Sequence, residues 1–541
     1  MKDKTPYAGR WVALIGEQVV GVGYTAEEAY QAAQHSRPRE RVKLHYVEAP
    51  GGQLLAFAPL MEQLRPILEE EWMPVYLVGG AVRDALLGRV SHDLDFVAPR
   101  GAVDLAFRVA DAIGVPAYVL DEERDTGRVV LPEREKMIDF ARFRGPNLEA
   151  DLRDRDFTIN ALALPATAQT DESIIDPTGG KRDLKAGRIR LIHENSLADD
   201  PVRTLRAVRL AACLDFNLTA ETRTAVIAAV PGLVEVSAER KRDEIVKIIK
   251  TPQPDRAVAE MGTLGLLDAT LPEIAALGSV SQSPPHREDV LAHTLSVLGW
   301  LVRLEGVLFC GTADEEQALK FARSVLEPTI KPLGKYLARP VDGGVDGRLI
   351  LRLAALFHDV GKQDTGTIEE DGRIRFFGHD KAGAQLAGAR LRTLCLSNDA
   401  VSQVKRIVAG HMRPLSLVQA QGAEPSRRAV FRYYRAAGHN GLDIGLLALA
   451  DHLATYDGLG EKGTWEALVG LVRRLFLYFF ERYDEAVEPG SLVNGRDLID
   501  IVGVEQGPEI GRILRLIKEG QAAGEIRTRE EALRFAQEQM I

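Results

Sequence analysis

Apolar and polar positions alternate over the first fifty residues, and the period changes further along the chain. WVALI (11–15) and VVGVG (19–23) read as two strands around a Gly16-Glu17 turn. Thr25, followed three residues later by Glu28, is a capping box that opens a helix over AEEAYQAAQ. VKLHYVE (42–48) reads as a third strand, and Pro50-Gly51-Gly52 as a linker. Between 53 and 180, short apolar runs alternate with helical patterns, and strands are expected at 75–78, 93–97, 117–120, 128–131 and 136–143. From 181 onward the period is helical, as in VRTLRAVRLAACL, and Ser237 is placed to cap a further helix. SQSPPH (281–286) cannot sit inside a helix and marks a boundary.

The expected fold class is therefore α+β. A small α+β module (1–52), for which an accessory or self-association role is expected, precedes a small mixed-sheet head (53–180). All-helical segments follow at 181–280, 281–460 and 461–541. A chain of 541 residues is too long for one core, which agrees with several domains. Composition changes the picture little: hydrophobic residues make up 45% and charged residues 27%, as in an ordinary globular protein. No apolar run is expected to cross a membrane, and MKDKTPYAGR lacks the apolar stretch of a signal peptide. Cys213, Cys310 and Cys395 are far apart and form no CxxC, which fits a reducing, cytoplasmic setting. The net charge of −10 argues against wholesale RNA coating. A local exception is 181–250, with 14 Lys or Arg against 10 Asp or Glu, either a nucleic-acid-facing side or a solvated helical face.

The densest chemistry lies in VGGAVRDALLGRVSHDLDFV (78–97). In a strand, residues two apart share a face, so Asp93 and Asp95 point the same way. Paired carboxylates repel each other, and a fold keeps them together chiefly to hold a divalent metal. A Gly79-Gly80 pair at a strand end lets backbone N–H groups approach phosphate, and Arg83 can add a bidentate contact or pair with Asp84 instead. MIDFARF offers Asp139 at an alternating position. These parts suit metal-assisted transfer of a nucleotidyl group.

The segment resembles the polymerase-β-like nucleotidyltransferases, and more narrowly the class II tRNA nucleotidyltransferase and bacterial poly(A) polymerase family, with its GGxVRDxLLG and DxD pattern. The resemblance implies Mg²⁺ on Asp93 and Asp95, with Asp139 as third acid or a plain surface acid, and CTP, ATP and tRNA as partners. LEADLRDRDFTINALAL (148–164) resembles the second family motif through Arg155, Asp156, Phe157, Thr158 and Asn160, which implies ribose and triphosphate contacts. Asp154 stands where the family often has an arginine. IIDPTGGKRDLKAGRIRLI (174–192) resembles the third motif, a hinge. LADDPVRTLRAVRLAACLDF (197–216) resembles the element that selects the base: Asp200 and Arg203 would read a Watson–Crick edge, or serve as a helix cap and salt bridge. Arg206 and Arg209 would continue that face toward phosphate. The stretch 488–541 resembles the tRNA-binding tail.

FARFR passes through GPN almost directly into LEADL. Complete CCA-adding members carry a flexible loop here, and its shortening is associated with addition of CC alone. That implies a separate A-adding partner.

Seven of the 11 histidines fall between 286 and 452. Burying an adjacent His-Asp pair in an apolar helix costs several kcal/mol without a partner such as a metal. HDxGK with flanking histidines and a late aspartate resembles the HD phosphohydrolases. It implies His293, His358, Asp359 and Asp451 around one divalent metal, His379 and His411 completing a second or holding phosphate, and Lys362 facing phosphate. His286, His439 and His452 match nothing and are expected at the surface or in packing. The leading expectation is a tRNA 3′-end nucleotidyltransferase adding C and/or A, with an attached phosphatase or phosphodiesterase. The alternatives are a poly(A) polymerase, an RNA platform serving the hydrolase, and a regulator degrading a signalling nucleotide; homo-oligomerisation stays open.

Overall fold

A computed structural model describes residues 5–540 apart from 50, 92, 133–136, 287 and 459–461. The chain forms two compact units, 1–229 and 230–541, so a division falls inside the segment expected at 181–280. Pro50 of the expected linker, and residue 136 at the start of one expected strand, lie outside the described residues.

The first unit opens with strands β1 (Arg10–Ile15), β2 (Gln18–Gly23) and β3 (Lys43–Val47), an antiparallel sheet in the order β2-β1-β3. The Thr25–Glu28 capping box forms and starts a helix at Ala26–Ser36. Gly21 and Gly23 let this helix lie directly on β2, because a Cβ there would stand 2.3 Å from Ala29 O and 2.4 Å from Glu28 Cβ.

The head holds six strands: β4 (Tyr76–Val78), β5 (Leu94–Ala98), β6 (Ala117–Asp121), β7 (Thr126–Val130), β8 (Met137–Arg142) and β9 (Ala163–Pro165). Their order is β6-β7-β8-β5-β4-β9, with β5 and β8 parallel and the other pairs antiparallel. Five of these strands lie where the alternation places them; β9 is short and hidden in an apolar run. One face carries Leu94, Phe96, Ile138 and Phe140, all buried, with Phe96 stacked on Phe140 at 5.0 Å. Helix Ala102–Ile113 covers it, with Ala106 against Gly127.

The opposite face divides in two. Its far half carries Tyr76, Val97 and Ala163, and Trp11 of the N-terminal module closes over it in one core cluster with Leu152. Trp11 lies 5.4 Å from Tyr76 and 5.5 Å from Tyr46. One apolar side of the module is thus spent on the head. The near half of the same face carries the acids.

The second unit is helical, as expected, apart from two short hairpins among the described residues, Pro340–Asp342 with Val345–Asp346 and Gly366–Ile368 with Ile374–Phe376. Ser237 caps helix Ala238–Ile249 by accepting from Arg240 N. The stretch Val290–Cys310 is long and apolar enough by composition to span a bilayer, contrary to the sequence expectation. Its helix Val290–Glu305 lies against Gly441–Tyr456 and Gly347–Phe357. It buries His293, Leu298 and Leu301, which is how a core helix of a globular unit behaves.

Candidate active sites

In the head, strand register assembles the acids. β5 and β8 run parallel with Asp95 directly beside Asp139, and Asp93 shares their face two residues before Asp95. Arg128 on β7 lies opposite Asp139 and grips it bidentately, Nε and Nη2 each 2.7 Å from a carboxylate oxygen. Sequence reasoning missed Arg128; the only signal was a cation inside the strand TGRVV. The Asp95 side chain is exposed, yet the protein around it lowers its solvation. That desolvation raises its pKa, the like charges of Asp139 and Asp93 add to the rise, and Arg155 and Arg206 oppose it.

Gly79 borders the acids with φ 71°, and a Cβ there would stand 3.2 Å from Arg155 Nη1 and 3.9 Å from Asp95 Oδ2. Only glycine holds that backbone without crowding the site. The Gly79 amide donates to Leu162 O at 3.1 Å. This corrects one expectation: Gly79 brings the backbone close but does not offer its N–H to phosphate. Helix Gly80–Leu86 follows, carrying Arg83.

Arg83 realises the ion pair with Asp84 (Nε to Oδ1, 2.8 Å) and also donates to Asn160 Oδ1 at 2.7 Å. Asn160 donates onward to Asp156 Oδ1 at 3.1 Å, and Asp156 Oδ2 faces Arg206 Nε at 2.8 Å. One polar chain thus joins the glycine-pair helix, the RDFTIN turn and helix Arg203–Leu214. Arg206, expected at phosphate, is committed at this end to Asp156. Arg155 donates to buried Asp151 at 3.2 Å, which holds its guanidinium beside Gly79. Asp154, which replaces a family arginine, is exposed and stands 3.7 Å from Arg144.

Asp200 stands just before helix Arg203–Leu214, and its carbonyl accepts from Arg203 N at 3.0 Å, closing the turn that places the two side chains together. They pair, at 3.8 Å, and Arg203 is fixed by Ser196 Oγ at 2.8 Å. Arg209 lies half-buried further along the helix, close enough to act on the Cys213 thiol.

In the second unit, six expected residues converge although they come from five stretches of chain. His358 and His411 sit where helices Gly347–Phe357 and Asn398–Gly410 end, and His379 starts helix His379–Thr393. Each ring points Nδ1 at the carbonyl three residues back: His358 to Ala355 O (2.8 Å), His379 to Phe376 O (2.7 Å), His411 to Val408 O (2.7 Å). The carbonyls of Ala355 and Val408 lie in the last turn of a helix, where intrahelical donors run out, and that of Phe376 ends a strand; in each case the imidazole N–H satisfies it and turns Nε2 inward as a ligand.

Those Nε2 atoms meet Asp359. Its Oδ2 lies 3.2 Å from His358, 3.8 Å from His293 and 2.7 Å from Lys362 Nζ. Its Oδ1 lies 3.5 Å from His379 and 3.8 Å from His411. His293 also meets Asp451 Oδ1 at 3.0 Å. Two sets can each hold a metal, His293–His358–Asp359 and Asp359–His379–His411, with Asp359 common to both. Burial works against ionised Asp359, but His358, Lys362 and His293 outweigh it and hold its pKa well below the usual value. Burial likewise opposes charge on Asp451, and His293 overrides it. Burial pushes His411 down to about 4, with His358 adding to the fall.

His286 corrects the sequence reading. Its ring lies edge-on to His293 at 4.6 Å, in the wall of an open cleft of about 710 Å³ above Asp359. Burial pushes its pKa to about 4, and His293 adds to the fall. SQSPPH is more than a boundary, because Gln282 from the same segment accepts from Lys362 Nζ at 3.0 Å. No local pattern marks these positions as site residues. His452 is buried, stacks on Trp465 and lines the same cleft, whereas His439 packs on Phe479 as expected for a packing residue.

The head and the histidine-rich segment each match a known domain. Residues 75–190 match the poly A polymerase head domain, 215–277 the "Probable RNA and SrmB- binding site of polymerase A", and 333–455 the HD domain. Residues 5–50 match a family of unknown function. An A-adding tRNA nucleotidyltransferase of Deinococcus radiodurans is 34% identical over 472 residues, 85% of this chain and 94% of that protein. The chain belongs to the tRNA nucleotidyltransferases. A CC-adding relative from Thermus thermophilus is 32% identical, over 85% of this chain and 92% of its own. Among solved structures, a CCA-adding enzyme with ATP shares the fold at TM-score 0.55 and 21% identity, covering 89% of this tRNA nucleotidyltransferase and 95% of that chain. A Thermotoga maritima CCA-adding enzyme complexed with tRNA does so at 0.52 and 22%, covering 90% and 96%.

Proposed function

We propose that the head transfers nucleotides from CTP and/or ATP to the 3′ end of tRNA without a nucleic-acid template. The observation that carries this reading is the strand register that sets Asp95 beside Asp139 with Asp93 on the same face. This oxygen-rich, acidic donor set fits Mg²⁺. Bound there, the metal would lower the pKa of the attacking 3′-hydroxyl and neutralise the departing pyrophosphate. The chain's own residues do the rest. Arg128 fixes the orientation of Asp139. Arg155, held by Asp151, presents a cation beside Gly79 where the triphosphate would approach. Arg203, fixed by Ser196, and Asp200 offer a donor and an acceptor for a base edge.

Strand β8 ends at Arg142 and the next helix starts at Leu148, so the short FRGPN connection favours addition of CC with the terminal A supplied by another enzyme. Relatives of both the A-adding and the CC-adding kind match at similar identity, so nucleotide choice is the first experiment. Purified protein with Mg²⁺ is given a tRNA lacking CCA, or one ending in CC, with CTP, ATP or both. Arrest at CC with both nucleotides supports the reading. Addition of A to the CC-ended tRNA overturns it.

For the second unit we infer a metal-dependent phosphohydrolase. Inward-facing imidazoles and a shared carboxylate fit a pair of divalent transition-metal ions. Lys362, 2.7 Å from Asp359, is placed to meet a phosphate oxygen. Release of phosphate from 3′-phosphorylated or 2′,3′-cyclic phosphate RNA, lost on chelation and restored by one metal, would test it. Such an activity would suit repair of damaged tRNA ends before nucleotide addition.

A further inference from the structure

The hairpin between Lys362 and His379 carries an aromatic ring that the fold does not use. Phe377 is 71% exposed, the most exposed phenylalanine among the described residues. It follows strand Ile374–Phe376 and sits on the rim of the cleft above Asp359, with Arg373 and Arg375 on the same rim. Arg375 lies 6.0 Å from its ring centre, and its guanidinium is oriented by Glu369 at 2.6 Å. Across the cleft, Met412 and Tyr456 are also partly exposed.

The second strand of the hairpin is tied at both of its ends, one of them to a candidate metal ligand. Phe376 O takes the Nδ1 proton of His379, and Ile374 N donates to Ser283 Oγ in the opposite wall. The Phe377 ring therefore stands at a set distance from the site that would hold the scissile phosphate. An exposed aromatic costs solubility and gives no core stability, so its place beside two arginines calls for a flat, apolar ligand attached to phosphate. Every nucleobase has a π-face, and stacking on an aromatic side chain tolerates any base.

We propose that Phe377 is the base-stacking residue of this cleft, and that the cleft therefore selects phosphate esters that carry a nucleobase, whether as free nucleotides or as the last residue of an RNA. The proposal rests on the hydrolase reading above. In the reaction a P–O bond forms to water, the ester P–O bond breaks, and the released ribose hydroxyl takes up a proton. The stack contributes binding, so its loss appears in KM rather than kcat.

The test uses the full-length protein with Mn²⁺, Co²⁺ or Ni²⁺ supplied in turn. Phosphate release is measured from adenosine 3′-monophosphate, from a short RNA ending in a 3′-phosphate, and from the same RNA with an abasic last residue. The wild type should favour the base-bearing RNA, and Phe377→Ala should lower the ratio of kcat/KM between the two RNAs roughly tenfold or more, through KM. Phe377→Trp should restore the ratio. Turnover of adenosine 3′-monophosphate would place free nucleotides among the substrates, and turnover of the RNAs alone would restrict the class to RNA ends. Equal use of both RNAs by the wild type, or an unchanged ratio in Phe377→Ala, overturns the proposal. If the wild type hydrolyses nothing but binds adenosine 3′-monophosphate in a Phe377-dependent manner by calorimetry, the hydrolase reading fails and the stacking subsite stands. If neither hydrolysis nor binding occurs, both fail.

Discussion

Arg206 on helix Arg203–Leu214 lies 2.8 Å from Asp156 in the RDFTIN turn. Asp156 is 6% exposed as a side chain and Arg206 45%, so the pair is buried on one side only. Because Asp156 also accepts from Phe157 N and Asn160, the pair ties the base-selecting helix to the acid-bearing sheet.

Removing the cation leaves Asp156 nearly buried without a counter-charge. After discounting for the exposure of Arg206, Arg206→Ala should cost about 1–2 kcal/mol of stability. It should also raise KM for the nucleotide more than that of Arg206→Lys. Urea unfolding and steady-state kinetics of both variants check this, and a KM unchanged in both would separate the pair from nucleotide binding.

Asp95→Ala should abolish nucleotide incorporation while phosphate release by the second unit persists. Arg128→Ala should leave Asp139 in place but free to turn, and lower kcat by roughly 10- to 100-fold, the usual effect of losing a partner that orients a metal ligand. A full-rate Arg128→Ala enzyme would remove Arg128 from the site.

His358→Ala with Asp359→Ala should do the reverse, eliminating metal-dependent phosphate release with incorporation intact. Metal content after dialysis should fall as well, because Asp359 belongs to both candidate sets. Retention of full metal content would refute the shared-carboxylate arrangement.

Trp11→Ala should destabilise the first unit by about 3–5 kcal/mol, as expected for emptying a buried tryptophan site against Tyr46 and Tyr76. Chemical denaturation followed by fluorescence checks this. A loss below 1 kcal/mol would mean that the N-terminal module is an independent appendage.

Asp443 is fully buried, accepting from Tyr336 Oη at 2.5 Å and Asn440 Nδ2 at 2.9 Å. Burial lifts its pKa from 3.8 to about 6, against Arg339, Tyr336 and Asn440, which pull it down. The fold therefore holds this proton more tightly than the unfolded chain does. Its contribution is fully present below 3.8 and is lost as pH rises through about 6. The loss is about 3 kcal/mol at 1.36 kcal/mol per pKa unit. Asp443→Asn should flatten that part of the stability–pH curve; an unchanged slope would show that other groups set it.

Where a local pattern carries the constraint, the fold was legible. The Thr25–Glu28 box, the alternation over 93–97 and the helical period beyond 181 each depend on neighbours within a few residues. Asp93 and Asp95 needed only the two-residue repeat of a strand to be placed on one face. Asp139 is different, because any acid on any strand could stand beside Asp95 until the β5–β8 register is set. Arg128 and His286 carried no pattern at all, and Gly79 looked like a phosphate amide until Leu162 O claimed it.

The sequence by itself determined which chemistry this protein carries: acids and glycines for nucleotide transfer, and histidines with aspartates for metal. Residue type and short spacing set those properties, and both are local. Only the tertiary structure decided how the groups are shared. Asp359 faces one histidine set with each oxygen, Asp156 is held by Arg206, and Trp11 covers the far half of the acid-bearing sheet face. Such pairings are made by long-range packing and register, where burial of apolar surface chooses among many partners that the sequence leaves equivalent.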